Sequence, residues 1–208
     1  IAAIYRLGTP NILMQAAYTV YIFGLNLILA TFSDQAVTVL GLYYKWQSFF
    51  FIPLGSMQTC IVPVVSYNYA ARNIGRCKKT LVTAIVFGMA LMFLGTLCFE
   101  IIPGPMLRVF SSDEKVIEIG VTAFRIIGIS FIPLVSSLTF PVFFQAVGWS
   151  LKSSLLTVFR TVVLFVPLAF IFSRIGGLDW FWLTFPVTDS LSTLLGFIWY
   201  KKFMRRPY

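Results

Sequence analysis

Of the 208 residues, 59% are hydrophobic, 17% aromatic and only 11% charged, too few charges to give a soluble domain of this length a hydrated surface. Most of the chain therefore has hydrocarbon as its solvent. The net charge of +9 does not point to nucleic acid, because ten of the sixteen Lys and Arg lie in short segments that alternate along the chain as membrane loops do.

Long apolar runs occupy residues 9–31, 37–66, 80–103, 117–147, 153–173 and 179–200. Each is near or above the ~20 residues that cross about 30 Å of hydrocarbon as a helix. The runs are continuous and lack the alternation of an outer-membrane barrel, so the expected fold is an all-α membrane protein with six transmembrane helices. Six crossings return both termini to one side. That side carries Arg6, Arg72, Arg76, Lys78, Lys79, Lys152, Lys201, Lys202, Arg205 and Arg206, against Arg108, Lys115 and Arg174 opposite. The bias predicts a multi-pass plasma-membrane protein with both termini cytoplasmic. The first residue is Ile1 and no signal peptide precedes the first apolar run, which reads as a fragment.

In the first span Asn11, Gln15, Tyr18 or Thr19, and Asn26 recur at helical spacing, predicting one polar face. The second holds Lys45 in Lys45-Trp46-Gln47-Ser48-Phe49, about one-third of the way in from the outer side. An ammonium at such a depth is costly enough to face a polar cavity or a partner, or to snorkel outward. Inside a cavity it could bind an anionic group, balance a carboxylate or exchange protons. Pro53 and Pro63 in the second span, and Pro133 and Pro141 in the fourth, remove backbone donors and are expected to bend their helices, as are Pro167 and Pro186 in the last two.

The fifth span repeats the polar stripe with Ser153, Thr157, Arg160 and Thr161, and the sixth groups Thr188, Asp189, Ser192 and Thr193. Such stripes fit either a wet interior or hydrogen bonds between helices. Four charges lie within spans: Lys45, Arg125, Arg160 and Asp189. Asp189 is the one acid well inside a span, and Arg160 on the neighbouring helix is its expected partner, either as a structural ion pair or as a cavity group sensing a coupling ion. Cys60, Cys77 and Cys98 have no metal-ligand spacing and no His to join them, and are expected to be small core residues. The chain lacks a nucleophile with a base, a metal cluster, paired carboxylates and a phosphate-binding loop, so neither an enzyme nor an ATP-driven pump is expected.

Particular stretches carry a resemblance. Tyr44-Lys45-Trp46-Gln47-Ser48-Phe49-Phe50-Phe51-Ile52-Pro53-Leu54-Gly55, then Pro63-Val64-Val65-Ser66-Tyr67-Asn68-Tyr69-Ala70-Ala71-Arg72-Asn73, resemble the second helix of the C-terminal lobe in the multidrug and toxic compound extrusion (MATE) family. Phe124-Arg125-Ile126-Ile127-Gly128-Ile129-Ser130, Phe144-Gln145-Ala146-Val147-Gly148, Leu183-Thr184-Phe185-Pro186-Val187-Thr188-Asp189-Ser190-Leu191-Ser192 and the opening Arg6-Leu7-Gly8-Thr9-Pro10-Asn11-Ile12-Leu13-Met14-Gln15 follow in the same order.

The resemblance implies that residues 1–208 form the C-terminal six-helix lobe of a two-lobe transporter. Its partners would be a missing N-terminal six-helix lobe, the lipid bilayer and a small-molecule organic substrate. The implied activity is antiport of drugs or other amphipathic compounds outward against sodium or protons, without a cofactor. A lipid-linked sugar or polysaccharide flippase of the same superfamily is the alternative; Trp46 and Tyr21 lining a dye pocket would favour the drug exporter. Two positions depart from the family pattern: Ala70 stands where Gly is usual, and Gln15 and Gln145 stand where some branches carry coupling carboxylates. Coupling is therefore expected to rely on an acid in the other lobe, with Gln15, Asn26, Lys45, Gln47, Arg160 and Asp189 as substrate or cavity residues.

Overall fold

A computed structural model describes residues 2–205, the side chains of residues 2–11, 13 and 14 excepted. Asn11, Arg6 and Arg206 of the expected polar and basic sets thus lie outside the described side chains. The order is α1 (Ala2–Ala30), α2 (Asp34–Ala70), α3 (Ile74–Ile101), α4 (Pro103–Arg108), α5 (Glu114–Gly128), α6 (Phe131–Ala146), α7 (Ser150–Val158), a π-helical stretch (Phe159–Phe165), α8 (Val166–Trp182) and α9 (Thr184–Met204). Among the described residues there is no strand.

The connections are set by local chemistry. Ser33 caps α2, its hydroxyl accepting from the Ala36 amide at 3.1 Å, and Asp34 in the first turn complements the helix dipole. The carboxylate of Asp113 caps α5 by accepting from the Lys115 amide at 2.9 Å. Two helices end in the same six-residue motif. At the end of α2, the Asn73 amide donates to Asn68 O at 2.8 Å and the Arg72 amide to Tyr69 O at 3.0 Å. At the end of α6, the Trp149 amide donates to Phe144 O at 2.8 Å and the Gly148 amide to Gln145 O at 3.1 Å. The reversing residue must be left-handed: Gly148 does this at φ 79° without a Cβ, whereas Arg72 does it at φ 56° with one.

Prolines act differently in the two long spans. Helix α2 runs through Pro53 and Pro63 as one continuous helix. The fourth predicted span, 117–147, is broken into α5 and α6, which meet at 55°. The break falls at Ile129–Ser130, one turn upstream of Pro133, where the proline ring crowds the carbonyl four residues back. Between the fifth and sixth expected spans the backbone leaves helical geometry at Gly177 (φ 70°, ψ −150°), where two helices meet at a kink.

Helix α6 occupies the centre, packed against α2, α3, α7 and α9. Its approach to α3 depends on Gly88, where a Cβ would stand 2.7 Å from Val135 Cγ1. Above this contact Phe99 stacks on Phe124 at 4.6 Å and meets Phe131 at 4.8 Å, joining α3, α5 and α6. The outside is equally apolar: Val86, Phe87, Phe93 and Leu94 of α3, Phe170 and Ile171 of α8, and Leu194 and Ile198 of α9 are exposed. Water would oppose such a surface and lipid does not. The protein is an all-α membrane protein. Asp34–Ala70, Ile74–Ile101 and Ser150–Trp182 are each long and apolar enough to cross a bilayer, and the bent pair α5–α6 adds a fourth span if its halves count as one.

Candidate functional site

Arg160 and Asp189 meet in the interior. The first lies in the π-helical stretch and the second on α9, with Arg160 Nε 2.7 Å from Asp189 Oδ1 and side-chain exposures of only 14% and 1%. The hydroxyl of Ser137 on α6 stands 3.2 Å from the same oxygen and 2.9 Å from Leu134 O, so one proton serves two acceptors. Asp189 Oδ2 is buried without a hydrogen-bond partner among the described residues. Phe165, one turn further along the π-helical stretch, lies 5.4 Å from the Arg160 guanidinium.

The local sequence explains why Arg160 reaches inward. Pro167 has no amide to donate and its ring excludes the carbonyl of Val163; the wider turns of Phe159–Phe165 accommodate that clash. They also carry Arg160 and Thr161 towards α9, whose inner face presents Thr184, Thr188, Asp189 and Ser192, all buried. Thr193 is turned to α6, donating to Pro133 O at 2.7 Å.

Beside the pair is a cleft of about 180 Å³ lined by Gln58 of α2, Ser137, Pro141 and Gln145 of α6, Ser153 and Thr157 of α7, and Arg160. Gln58 Nε2 is buried there without a hydrogen-bond partner among the described residues. The site is chemically a fixed cation–carboxylate pair beside a small polar hole. Its unpaired amide donor and hydroxyls suit ordered water or a small polar group. Gln58 was not singled out from sequence; its place on the α6 side of α2 is visible only once Pro53 and Pro63 are known not to break that helix.

The remaining expected site residues are spread elsewhere. On α1 the buried face is Ala17, Tyr21, Leu25 and Leu29, while Gln15, Tyr18 and Thr19 are exposed and Asn26 is half-buried. The polar stripe is therefore present and looks away from the core. Asn26 donates to Ile22 O at 2.8 Å and Thr19 to Gln15 O at 3.2 Å, both within the helix. Tyr21 belongs to the core, edge-on to Phe165 at 4.7 Å, because it falls on the apolar face of α1. Lys45 is exposed, its ammonium 4.8 Å from the Phe110 ring beyond α4. Trp46 fixes that turn by donating from Nε1 to Met106 O at 3.1 Å; Gln47 is half-buried. Arg125 is exposed on α5. Of the cysteines only Cys77 is buried; Cys98 is half-buried and Cys60 is exposed in the cleft between α2 and α3, contrary to the expected core position.

The family model for MatE matches residues 10–171. The chain belongs to the MatE family. Among curated relatives, the MatE chain is 22% identical over 195 residues to the "Multidrug export protein MepA" of Staphylococcus aureus (strain bovine RF122 / ET3-1), covering 93% of this chain and 43% of that protein. An outward-facing multidrug resistance MATE family transporter of the MOP superfamily superposes with a TM-score of 0.91 at 22% identity, covering 98% of this chain and 47% of the other. An inward-facing one gives 0.89 at 22% identity, covering 96% and 47%. The MatE chain thus spans less than half the length of these relatives.

Proposed function

We propose that this MatE chain is the C-terminal six-helix lobe, residues 1–208, of a two-lobe secondary antiporter in the plasma membrane, with both termini cytoplasmic. It exports drugs or other amphipathic organic compounds in exchange for sodium or protons, and needs no cofactor. The six crossings are α1, α2, α3, α5 with α6, α7 with α8, and α9. The observation that carries this reading is the MatE match together with the share of the relatives covered. A twelve-helix exporter divided into lobes accounts for both.

The exposed polar face of α1 supports a cavity between lobes: Gln15 and Asn26 face it, and Lys45 and Gln47 stand near its outer rim. The similar superposition on outward- and inward-facing relatives supports a lobe that moves as a unit. Arg160 and Asp189 hold that lobe together, and the coupling acid lies in the other lobe.

The test is ethidium efflux driven by an imposed sodium or proton gradient in cells expressing the full-length transporter. The paired substitution Arg160→Met with Asp189→Leu removes both charges without stranding either. A variant that reaches the membrane at the parental level and still shows gradient-driven efflux supports coupling elsewhere. Loss of coupling at normal expression overturns that assignment, and absence of gradient-driven efflux from the parent overturns the transport reading.

A further inference from the structure

A second cleft, of about 540 Å³, opens between α2 and α3 at the end of the molecule opposite α4. Its walls are apolar, with Met57, Ile61 and Val64 on one side and Ala84 and Phe87 on the other; Arg76 and Lys79 stand at its mouth. The two helices run antiparallel, so Asn68 of α2 lies at the level of Arg76 and Met57 near that of Phe87. From Arg76 to Phe87 the helix rises about 16 Å. The cleft is thus an apolar slot with cations at one end.

The charge at that end is uncompensated. Arg76 and Lys79 are exposed, and neither has an ion-pair partner among the described residues. The sequence contains no Asp or Glu between Asp34 and Glu100. Arg72 and Lys78 add to the same turn, and the N-terminus of α3 at Ile74 contributes its positive dipole end. The basic ends of the other helices, with Lys152, Lys201, Lys202 and Arg205, are on the same side, where the charge bias places the cytoplasmic leaflet.

We propose that this cleft is a binding site for an anionic phospholipid. The phosphate sits at Arg76 and Lys79, and one acyl chain lies along Met57, Ile61, Val64, Ala84 and Phe87. The Thr80 hydroxyl is committed to Arg76 O at 2.9 Å, so the two cations supply the headgroup recognition. An organic cation would be repelled at the mouth, and a free phosphate would leave the apolar walls uncovered. A lipid with a negative headgroup satisfies both ends at once, in the leaflet where such lipids are enriched. The site depends on the membrane placement of α2 and α3 and is independent of the export reading.

The test is native mass spectrometry of the full chain after incubation in detergent with equal amounts of palmitoyl-oleoyl phosphatidylglycerol and palmitoyl-oleoyl phosphatidylcholine. The parent is expected to retain phosphatidylglycerol in preference on the order of tenfold, as two membrane-facing cations provide. Arg76→Gln with Lys79→Gln abolishes the preference, whereas Lys201→Gln with Lys202→Gln keeps it. Thr83→Trp, filling the cleft from an exposed lining position with both cations intact, lowers retention. Circular dichroism confirms that each variant is folded. Equal retention of the two lipids, unchanged preference in Arg76→Gln/Lys79→Gln, unchanged retention in Thr83→Trp, or displacement of the lipid by inorganic phosphate alone overturns the site.

Discussion

Arg160 and Lys45 are both cations within long apolar helices, yet their surroundings differ in kind. Arg160 is held in the interior by Asp189 at 2.7 Å, with Ser137 on the same carboxylate oxygen. Lys45 is exposed and rests against a ring, with Phe110 4.8 Å away. A charge inside hydrocarbon-packed protein persists where an opposite charge meets it; without one it travels along its own aliphatic stem to a more polar boundary. The partner determines the placement more than depth along the helix does.

The largest test of this contrast is Asp189→Ala, which strands the guanidinium. It should destabilise the detergent-solubilised protein by about 3–5 kcal/mol, whereas Lys45→Ala should cost less than about 1 kcal/mol. Thermal unfolding followed by circular dichroism compares the two, and equal losses would erase the distinction. The double variant Arg160→Met/Asp189→Leu should recover most of the stability lost in Asp189→Ala. If it is as unstable as the single variant, the pair contributes something beyond mutual neutralisation.

Ser137→Ala probes the pair more gently. A hydrogen bond to a charged group is worth about 1.5–3 kcal/mol, and sharing the proton with Leu134 O puts the expected loss at the lower end. Phe110→Leu combined with Lys45→Met in a double-mutant cycle should give a coupling of about 0.5–1 kcal/mol, the range for an exposed cation over a ring. Smallest is Glu114→Gln, which removes the exposed Arg108–Glu114 pair at 2.9 Å. Its cost should be below about 1 kcal/mol and should shrink as salt is raised, while the effect of Asp189→Ala stays constant. A salt-sensitive Asp189→Ala would mean that water reaches the interior pair.

The apolar runs were legible because lipid imposes a minimum length on each crossing; by length and composition three described helices could cross alone, and the bent α5–α6 pair makes a fourth. The Arg160–Asp189 contact was legible for a simpler reason: one acid lay deep in a span and one cation was at matching depth nearby. Helical spacing also grouped Thr188, Asp189 and Ser192, but could not say that they are buried inside the bundle while Gln15 and Thr19 are exposed. Both lipid and protein interior accept apolar neighbours, so periodicity in a membrane chain marks faces without saying what they meet. Proline was ambiguous for a related reason. Pro133 breaks its span one turn upstream, yet Pro53 and Pro63 leave α2 intact, and the difference depends on whether neighbouring contacts hold the helix on course. The π-helical stretch left no sequence signal beyond Pro167 itself.

That stretch has a consequence for how the helical segment 150–176, which ends at the Gly177 kink, tolerates change in length. A π-helical turn closes its hydrogen bonds one residue later than an α-helical one, so it is equivalent to a single-residue insertion absorbed as a bulge. Deleting one of Val162, Val163 or Leu164 would remove the extra residue of Phe159–Phe165, a local bend at Pro167 then taking up the ring clash, and leave Ala169 and Ser173 on the inner face of α8. Deleting one residue within the regular helix of α7 instead would rotate everything beyond it by about 100°, taking Leu156, Thr161 and Asp189's partner off their face together. The same chemical edit is thus absorbed at one place and propagated at another, some two turns away.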